Sequence, residues 1–127
     1  MCDIYVFISV IFNGFINVTK ICNLNDINEN QTLGLSANIN GILAKLIIVR
    51  TETSVFAYIN SCPHIGAPLD LQPGQFLNHN KTNIICSTHG ALFQIDTGLC
   101  IFGPCKHAYL QSIRINIRNN GDLYIQN

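Results

Sequence analysis

Two short stretches of the 127-residue chain carry a cysteine, a histidine and a glycine in the same order: "CPHIGAP" starting at Cys62 and "CSTHGAL" starting at Cys86. Thiolates and imidazoles bind borderline and soft metal ions, and glycine lets a backbone come close to a small inorganic centre with amide N–H groups turned toward its anionic atoms. The spacings are Cys-x-His (Cys62, His64) and Cys-x-x-His (Cys86, His89), with twenty-one residues between His64 and Cys86. Zinc accepts two thiolates and two imidazoles tetrahedrally, but its usual signature pairs Cys with Cys and His with His at each knuckle. Here each knuckle is mixed. That arrangement suits a binuclear cluster in which each loop gives its cysteine to one iron and its histidine to the other. A structural zinc in a binding module is the competing reading.

Loops of this kind need a stiff frame, and the rest of the chain reads as strands. Short β-rich runs separated by turn signals recur about every ten residues, as in small all-β domains. The expected strands are Phe15 to Cys22, Ile42 to Arg50, Val55 to Asn60, Asn83 to Cys86, Ala91 to Ile95, Leu99 to Phe102, Ser112 to Arg118 and Leu123 to Gln126. The cleanest is "SIRINIR", where Ile113, Ile115 and Ile117 alternate with Arg114, Asn116 and Arg118 and so predict one apolar and one wet face. Asn120 and Gly121 then turn the chain into a hairpin with Leu123 and Ile125. A second hairpin is written in "ALFQIDTGLCIF", with Asp96, Thr97 and Gly98 at its tip, and "QPGQ" from Gln72 marks a further turn. No segment reads as a helix.

Apolar residues make up 48% of the chain and charged residues 11%, a globular balance with room for one core. Seven basic residues cancel seven acidic ones and are scattered, so no cationic stripe is present for phosphates or anionic lipid. The Asn-rich stretches "NLNDINENQ" and "NHNKTN" read as solvated loops. The apolar run from Ile4 to Phe12 is too short to span a membrane and lacks the flanks of a secretory signal. For residues 1–17 three readings stay open: a partner-binding or interfacial segment, an irregular extension of the first strand, or a translational start placed too far upstream. With no export signal, a reducing cytoplasm is expected, where clustered Cys and His more often hold a metal than form disulfides. His79 and His107 lack partner motifs and read as surface residues, and Cys2 and Cys22 as ordinary terminal or apolar residues.

The two motifs, together with "CSTHGALFQIDTG" and with "GPC" from Gly103 to Cys105, resemble those of small Rieske-type [2Fe–2S] proteins of the ferredoxin-like kind. The resemblance runs from about Ile21 to the C-terminus and places a Rieske domain over 18–127. It implies an all-β Rieske iron–sulfur fold: small antiparallel sheets and a cluster-binding subdomain of two ligand loops. In that family two His replace two Cys on one iron. By resemblance, Cys62 and Cys86 hold the buried iron, His64 and His89 the outer, reducible one, and "GPC" is the loop that covers the single [2Fe–2S] cluster. The gap between the motifs is longer than usual, and "LQPGQFLNHNKTN" reads as an insertion within it that leaves the site intact. Cys100 and Cys105 flank the covering loop, as in similar small Rieske proteins, and are expected to be structural thiols.

The implied function is one-electron transfer from a reductase to an oxygenase-type or related acceptor, and not catalysis, since 127 residues leave no room for the mononuclear-iron domain of a Rieske oxygenase. The alternative within the family is the small subunit of a nitrite-reductase-like complex. Redox proteins are the expected partners, with neither nucleic acid nor a stable membrane span, and the neutral charge points to docking by shape and apolar contact. High-potential family members carry a second, disulfide-bonded Cys in each loop and a Ser and a Tyr hydroxyl near the cluster. Those positions fall on Ala67, Thr88, Ala91 and Phe93, so a low potential is expected.

Overall fold

The computed structural model describes residues 5–7, 18–63, 66–70 and 72–126. Among them run ten strands: β1 (Tyr5–Phe7), β2 (Val18–Asn23), β3 (Gln31–Ile39), β4 (Ile42–Arg50), β5 (Val55–Ile59), β6 (Asn83–Ile85), β7 (Leu92–Gln94), β8 (Cys100–Phe102), β9 (Ile115–Ile117) and β10 (Asp122–Gln126). They form three antiparallel sheets, ordered β1-β2-β10-β9, β3-β4-β5 and β6-β7-β8. The expected all-β architecture of small antiparallel sheets is the one observed. The helical content of the described residues is one 3-10 turn, Leu24–Asp26, held by a reciprocal cap in which the Asn23 side chain accepts from the Asn25 amide and Asp26 accepts from the Asn23 amide. Arg50 fastens that turn to the second sheet by donating to the carbonyls of Leu24 at 3.1 Å and Ile27 at 2.8 Å.

Strand β4 is the wall of the molecule. Its central residues "LIIV" are an unbroken apolar run because both faces are covered: Leu46 and Ile48 point into one core with Ile21, Ala37, Leu123 and Ile125, while Ile47 and Val49 point into another with Tyr58, Phe76, Ile84 and Phe93. The second core also contains Cys62, Cys86, Cys100 and Cys105, so it is the floor of the ligand loops.

Two sequence expectations change. Strand β3 is as long as β4, nine residues each, and lies where no strand was expected; its Leu33, Leu35, Ala37 and Ile39 alternate with Thr32, Gly34, Ser36 and Asn38, of which the last three lower strand propensity without breaking the period. Pairing along all of β4 overrides that weakness. "SIRINIR" is a strand only at Ile115–Ile117, with Ser112 forming a separate bridge to Tyr58 of β5, and Ile117 is 44% exposed on β9, the edge strand beyond β10. The insertion expected over 71–83 is anchored in its first half, where Phe76 is fully buried with its ring against Gly34 and the Thr32 hydroxyl donates to the Gly74 carbonyl at 2.7 Å, while residues 79–82 of "NHNKTN" are exposed as expected. The turn at Gln72 is present, closed by the Gln75 amide on the Gln72 carbonyl at 3.1 Å.

Residues 5–7 pair with β2, Tyr5 opposite Lys20 and Phe7 opposite Val18. The remainder of the Ile4-to-Phe12 run, the Phe15-to-Asn17 start of the first expected strand, and Cys2 lie outside the described residues. No helix among the described residues is long and apolar enough to cross a membrane.

Candidate metal centre

The two ligand loops are built alike from the backbone outward. In the first, the Gly66 amide donates to the Cys62 carbonyl at 2.7 Å and the Cys62 amide to the Ala67 carbonyl at 2.8 Å. In the second, the Gly90 amide donates to the Cys86 carbonyl at 2.7 Å and the Cys86 amide to the Ala91 carbonyl at 2.9 Å. The glycines take φ of +75° and +71°, the left-handed region that a side chain disfavours. Each loop is thus one tight turn that starts at a cysteine, and the common spacing Cys-x-x-x-Gly-Ala is its sequence signature. The histidines do not share that spacing, standing two residues after Cys62 and three after Cys86.

The loops meet at their cysteines. Cys62 and Cys86 are 1% and 0% exposed and are buried together in one core. Burial pushes the Cys86 thiol above its ordinary value, the His89 and Thr88 amides directed at its sulfur pull it back, and Cys62 beside it pushes it up again. A sulfur that is buried and crowded by a second sulfur is costly as a bare thiolate, and the two backbone N–H groups offset only part of that cost. A cation shared between the sulfurs removes that cost. His89 lies at the exposed surface above them. His64 lies outside the described residues, as do Ile65 and Leu71.

The first loop is anchored below by Asn60, whose side chain accepts from the Leu69 amide at 2.8 Å and donates to Asp70 at 3.0 Å. The second loop is anchored across to the first half of the motif by the Ser87 amide on the Leu69 carbonyl at 2.9 Å. Against it lies the 103–107 segment. Gly103, at φ +103°, backs so closely onto Ala91 that a Cβ there would stand 2.8 Å from the Ala91 Cα. This contact puts "GPC" over the second ligand loop, the position that the resemblance implied for a covering loop.

Cys100 and Cys105 are free thiols with their sulfurs 3.2 Å apart. Burial raises the Cys105 thiol to about 12, with further upward pushes from Cys100 and from Cys62. Cys22 is buried in the other core, away from the loops. His79 and His107 are exposed, His107 at φ +80° on the far side of the covering turn. Sequence reasoning missed the amides of Thr88 and His89 and the burial of Cys105 in one core with Cys62. The first was visible in the Cys-to-Gly spacing; the second had no local signal.

The fold of three small antiparallel sheets, with two equivalent cysteine turns and a covering loop at one end, defines a class. A family model described as the Rieske [2Fe-2S] domain matches residues 17–116, and the chain belongs to that family. The family implies a [2Fe–2S] cluster; the buried cysteines Cys62 and Cys86, with two amides directed at the Cys86 sulfur, suit such a group, while no set of three or more His, Cys, Asp or Glu gathers to hold a metal ion among the described residues. No curated protein matches the chain by sequence. Solved structures of similar fold include the ferredoxin of carbazole 1,9a-dioxygenase from Nocardioides aromaticivorans IC177, with 19% identity and a TM-score of 0.65 over 85% of this chain and 95% of that one. A chain from a complex of reduced oxygenase and oxidised ferredoxin in carbazole 1,9a-dioxygenase shares 23% identity, with a TM-score of 0.65 over 85% of this chain and 91% of that one. The terminal oxygenase of carbazole 1,9a-dioxygenase from Novosphingobium sp. KA1 shares 16% identity and a TM-score of 0.67, over 85% of this chain but only 29% of its own.

Proposed function

We propose that the chain is a one-electron carrier whose Rieske cluster, one per chain, is held by Cys62 and Cys86 on the inner iron and by His64 and His89 on the outer iron, and that it passes electrons from a reductase to an oxygenase-type acceptor. The observation that carries this reading is the pair of equivalent cysteine turns, closed by the same two backbone hydrogen bonds, with both cysteines buried in one core. When bound, the cluster supplies reversible one-electron reduction at the outer iron. The chain's own residues do the rest. Cys62 and Cys86 place the charge in a dry floor, the Thr88 and His89 amides meet the sulfur, and the covering segment from Gly103 packs against Ala91 at the end of the second loop. His89 at the surface leaves a short path to a docked partner.

The span of the match supports a carrier, since the chain aligns with nearly the whole of one carbazole dioxygenase ferredoxin. Next to the second ligand loop, Phe102 sits opposite Leu92 in the β7–β8 pair and is 63% exposed, an apolar side chain at the rim suited to a partner met by shape and contact. We place the protein in the cytoplasm on Cys62, Cys86, Cys100 and Cys105, four thiols that form no disulfide.

The test is composition and ligand substitution. Anaerobically purified protein is expected to hold two irons and two acid-labile sulfides, to be brown when oxidised, and to give a reduced-state paramagnetic signal of low average g. His64→Ala and His89→Ala are expected to lose the cluster or hold it weakly, while His79→Ala and His107→Ala keep it. A colourless protein with one stoichiometric zinc would overturn the reading, as would loss of the cluster in His107→Ala but not in His89→Ala.

A further inference from the structure

Two thiols outside the proposed ligand set lie where the covering segment folds back on β8. Cys100 begins that strand, and Cys105 follows five residues on, past Gly103. The backbone holds both in place. The Cys100 amide donates to the Ala108 carbonyl at 2.8 Å, the His107 amide to the Cys100 carbonyl at 3.0 Å, and the Ala108 amide to the Cys105 carbonyl at 2.9 Å. Within this closed turn the two sulfurs stand 3.2 Å apart, and both are free thiols. The Cys105 thiol donates to the Cys100 sulfur, and the Cys100 thiol donates onward to the Phe102 carbonyl at 3.3 Å. The sulfurs of a disulfide are about 2.05 Å apart, so closing the bond asks about 1 Å of travel.

Exposure distinguishes the two. Cys100 is 1% exposed and Cys105 7%, and Cys105 stands between the exposed residues Pro104 and Lys106. A small oxidant therefore meets Cys105 first, with Cys100 in contact behind it. We propose that Cys100 and Cys105 are a redox-active dithiol, which a peroxide converts to a disulfide that staples the covering segment to β8. This two-electron chemistry is separate from the one-electron transfer proposed for the cluster and does not rest on it. The Cys105 sulfur takes one oxygen of hydrogen peroxide as the O–O bond breaks, giving a sulfenic acid and one water. The Cys100 sulfur then bonds to the Cys105 sulfur and displaces that oxygen as a second water. Each thiol gives up its proton and one electron, and the peroxide is reduced to two waters. Burial, which holds Cys105 in its thiol form, makes the first step slow. The pair rests as a dithiol in a reducing compartment, closes under sustained oxidant, and is reopened by a thiol reductant. The segment it staples is the one whose Gly103 packs on Ala91 at the end of the second ligand loop.

The test treats the full-length, anaerobically loaded protein with hydrogen peroxide, alkylates the remaining thiols, and cleaves the chain at Asp96 and Lys106. That digestion separates Cys100 and Cys105 from Cys62 and Cys86. Peptide 96–106 is expected to become lighter by two hydrogens and to lose both alkyl groups, with a thiol reductant restoring them and the circular dichroism of the protein unchanged. Cys100→Ser and Cys105→Ser are expected to form no such bond, leaving the remaining thiol alkylated or carrying oxygen. Backbone amides over 103–108 are expected to exchange with D2O more slowly in the oxidised protein than in the reduced one. Both thiols still alkylated after peroxide would overturn the proposal, as would Cys105 joined to Cys62 or Cys86, or a bond that appears only once the fold is lost. Equal amide exchange in the two forms would overturn the staple. A wild type without iron would sink the cluster reading alone, because the thiol pair is counted on its own peptide.

Discussion

Gly103 backs onto Ala91 so tightly that an added Cβ would lie 2.8 Å from the Ala91 Cα, and its φ of +103° is one that L residues rarely adopt. The covering segment and the second ligand loop are therefore one packed unit. Gly103→Ala is expected to cost about 2 kcal/mol or more, from backbone strain plus the displacement of Ala91. Gly90→Ala meets nothing within 4 Å and has only its φ of +71° to contend with, so it is expected to cost about 1 kcal/mol. Thermal melts of the two variants check the order; a Gly90→Ala protein less stable than Gly103→Ala would contradict it.

The potential is expected near the low end of the family range of about −150 to +300 mV. Ala91 and Phe93 are both fully buried beside the ligand cysteines and carry no hydroxyl. A hydrogen bond to a charged acceptor is worth about 1.5 to 3 kcal/mol, so each missing donor lowers a one-electron potential by roughly 60 to 130 mV. Ala91→Ser with Phe93→Tyr should shift the potential upward in voltammetry. A wild-type value near +300 mV, or a double variant that stays put, would show that hydroxyl donors do not set it.

Phe76 ties the segment between the two motifs to the floor of the site. Its fully buried ring packs on Gly34 of β3, so Phe76→Ala is expected to destabilise the protein by about 3 to 5 kcal/mol in denaturant unfolding. Were the segment a solvated insertion, the change would be close to neutral.

Tyr58 links stability to alkaline pH. Its hydroxyl donates to the Ile95 carbonyl at 2.6 Å, and burial, with Asp96 nearby, raises it from 10.0 to about 12. The folded state thus favours the protonated phenol. That stability is complete below about pH 10 and is lost as pH rises toward 12. Tyr58→Phe should flatten this alkaline limb in melts between pH 9 and 11. An unchanged limb would assign it to other groups.

The two cysteine turns were legible in the sequence because they are local. A cysteine four residues ahead of a Gly-Ala pair dictates the turn that holds it, and the same words at Cys62 and Cys86 make the same turn twice. Hairpins at Asn120-Gly121 and Asp96-Thr97-Gly98 were legible for the same reason, since a tight turn depends on the few residues within it. Strand β3 was not, because its Gly34, Ser36 and Asn38 weaken propensity and only pairing along β4 makes it a strand. The exposure of Ile117 was hidden too, since period-2 alternation records that a face is apolar and not whether another layer covers it. The two-sided burial of β4, the packing of Phe76 on Gly34 and the burial of Cys105 in one core with Cys62 join residues far apart in the chain. Side chains separated by tens of residues carry no mutual spacing to read, so these contacts were decided by the folding of the three sheets against one another.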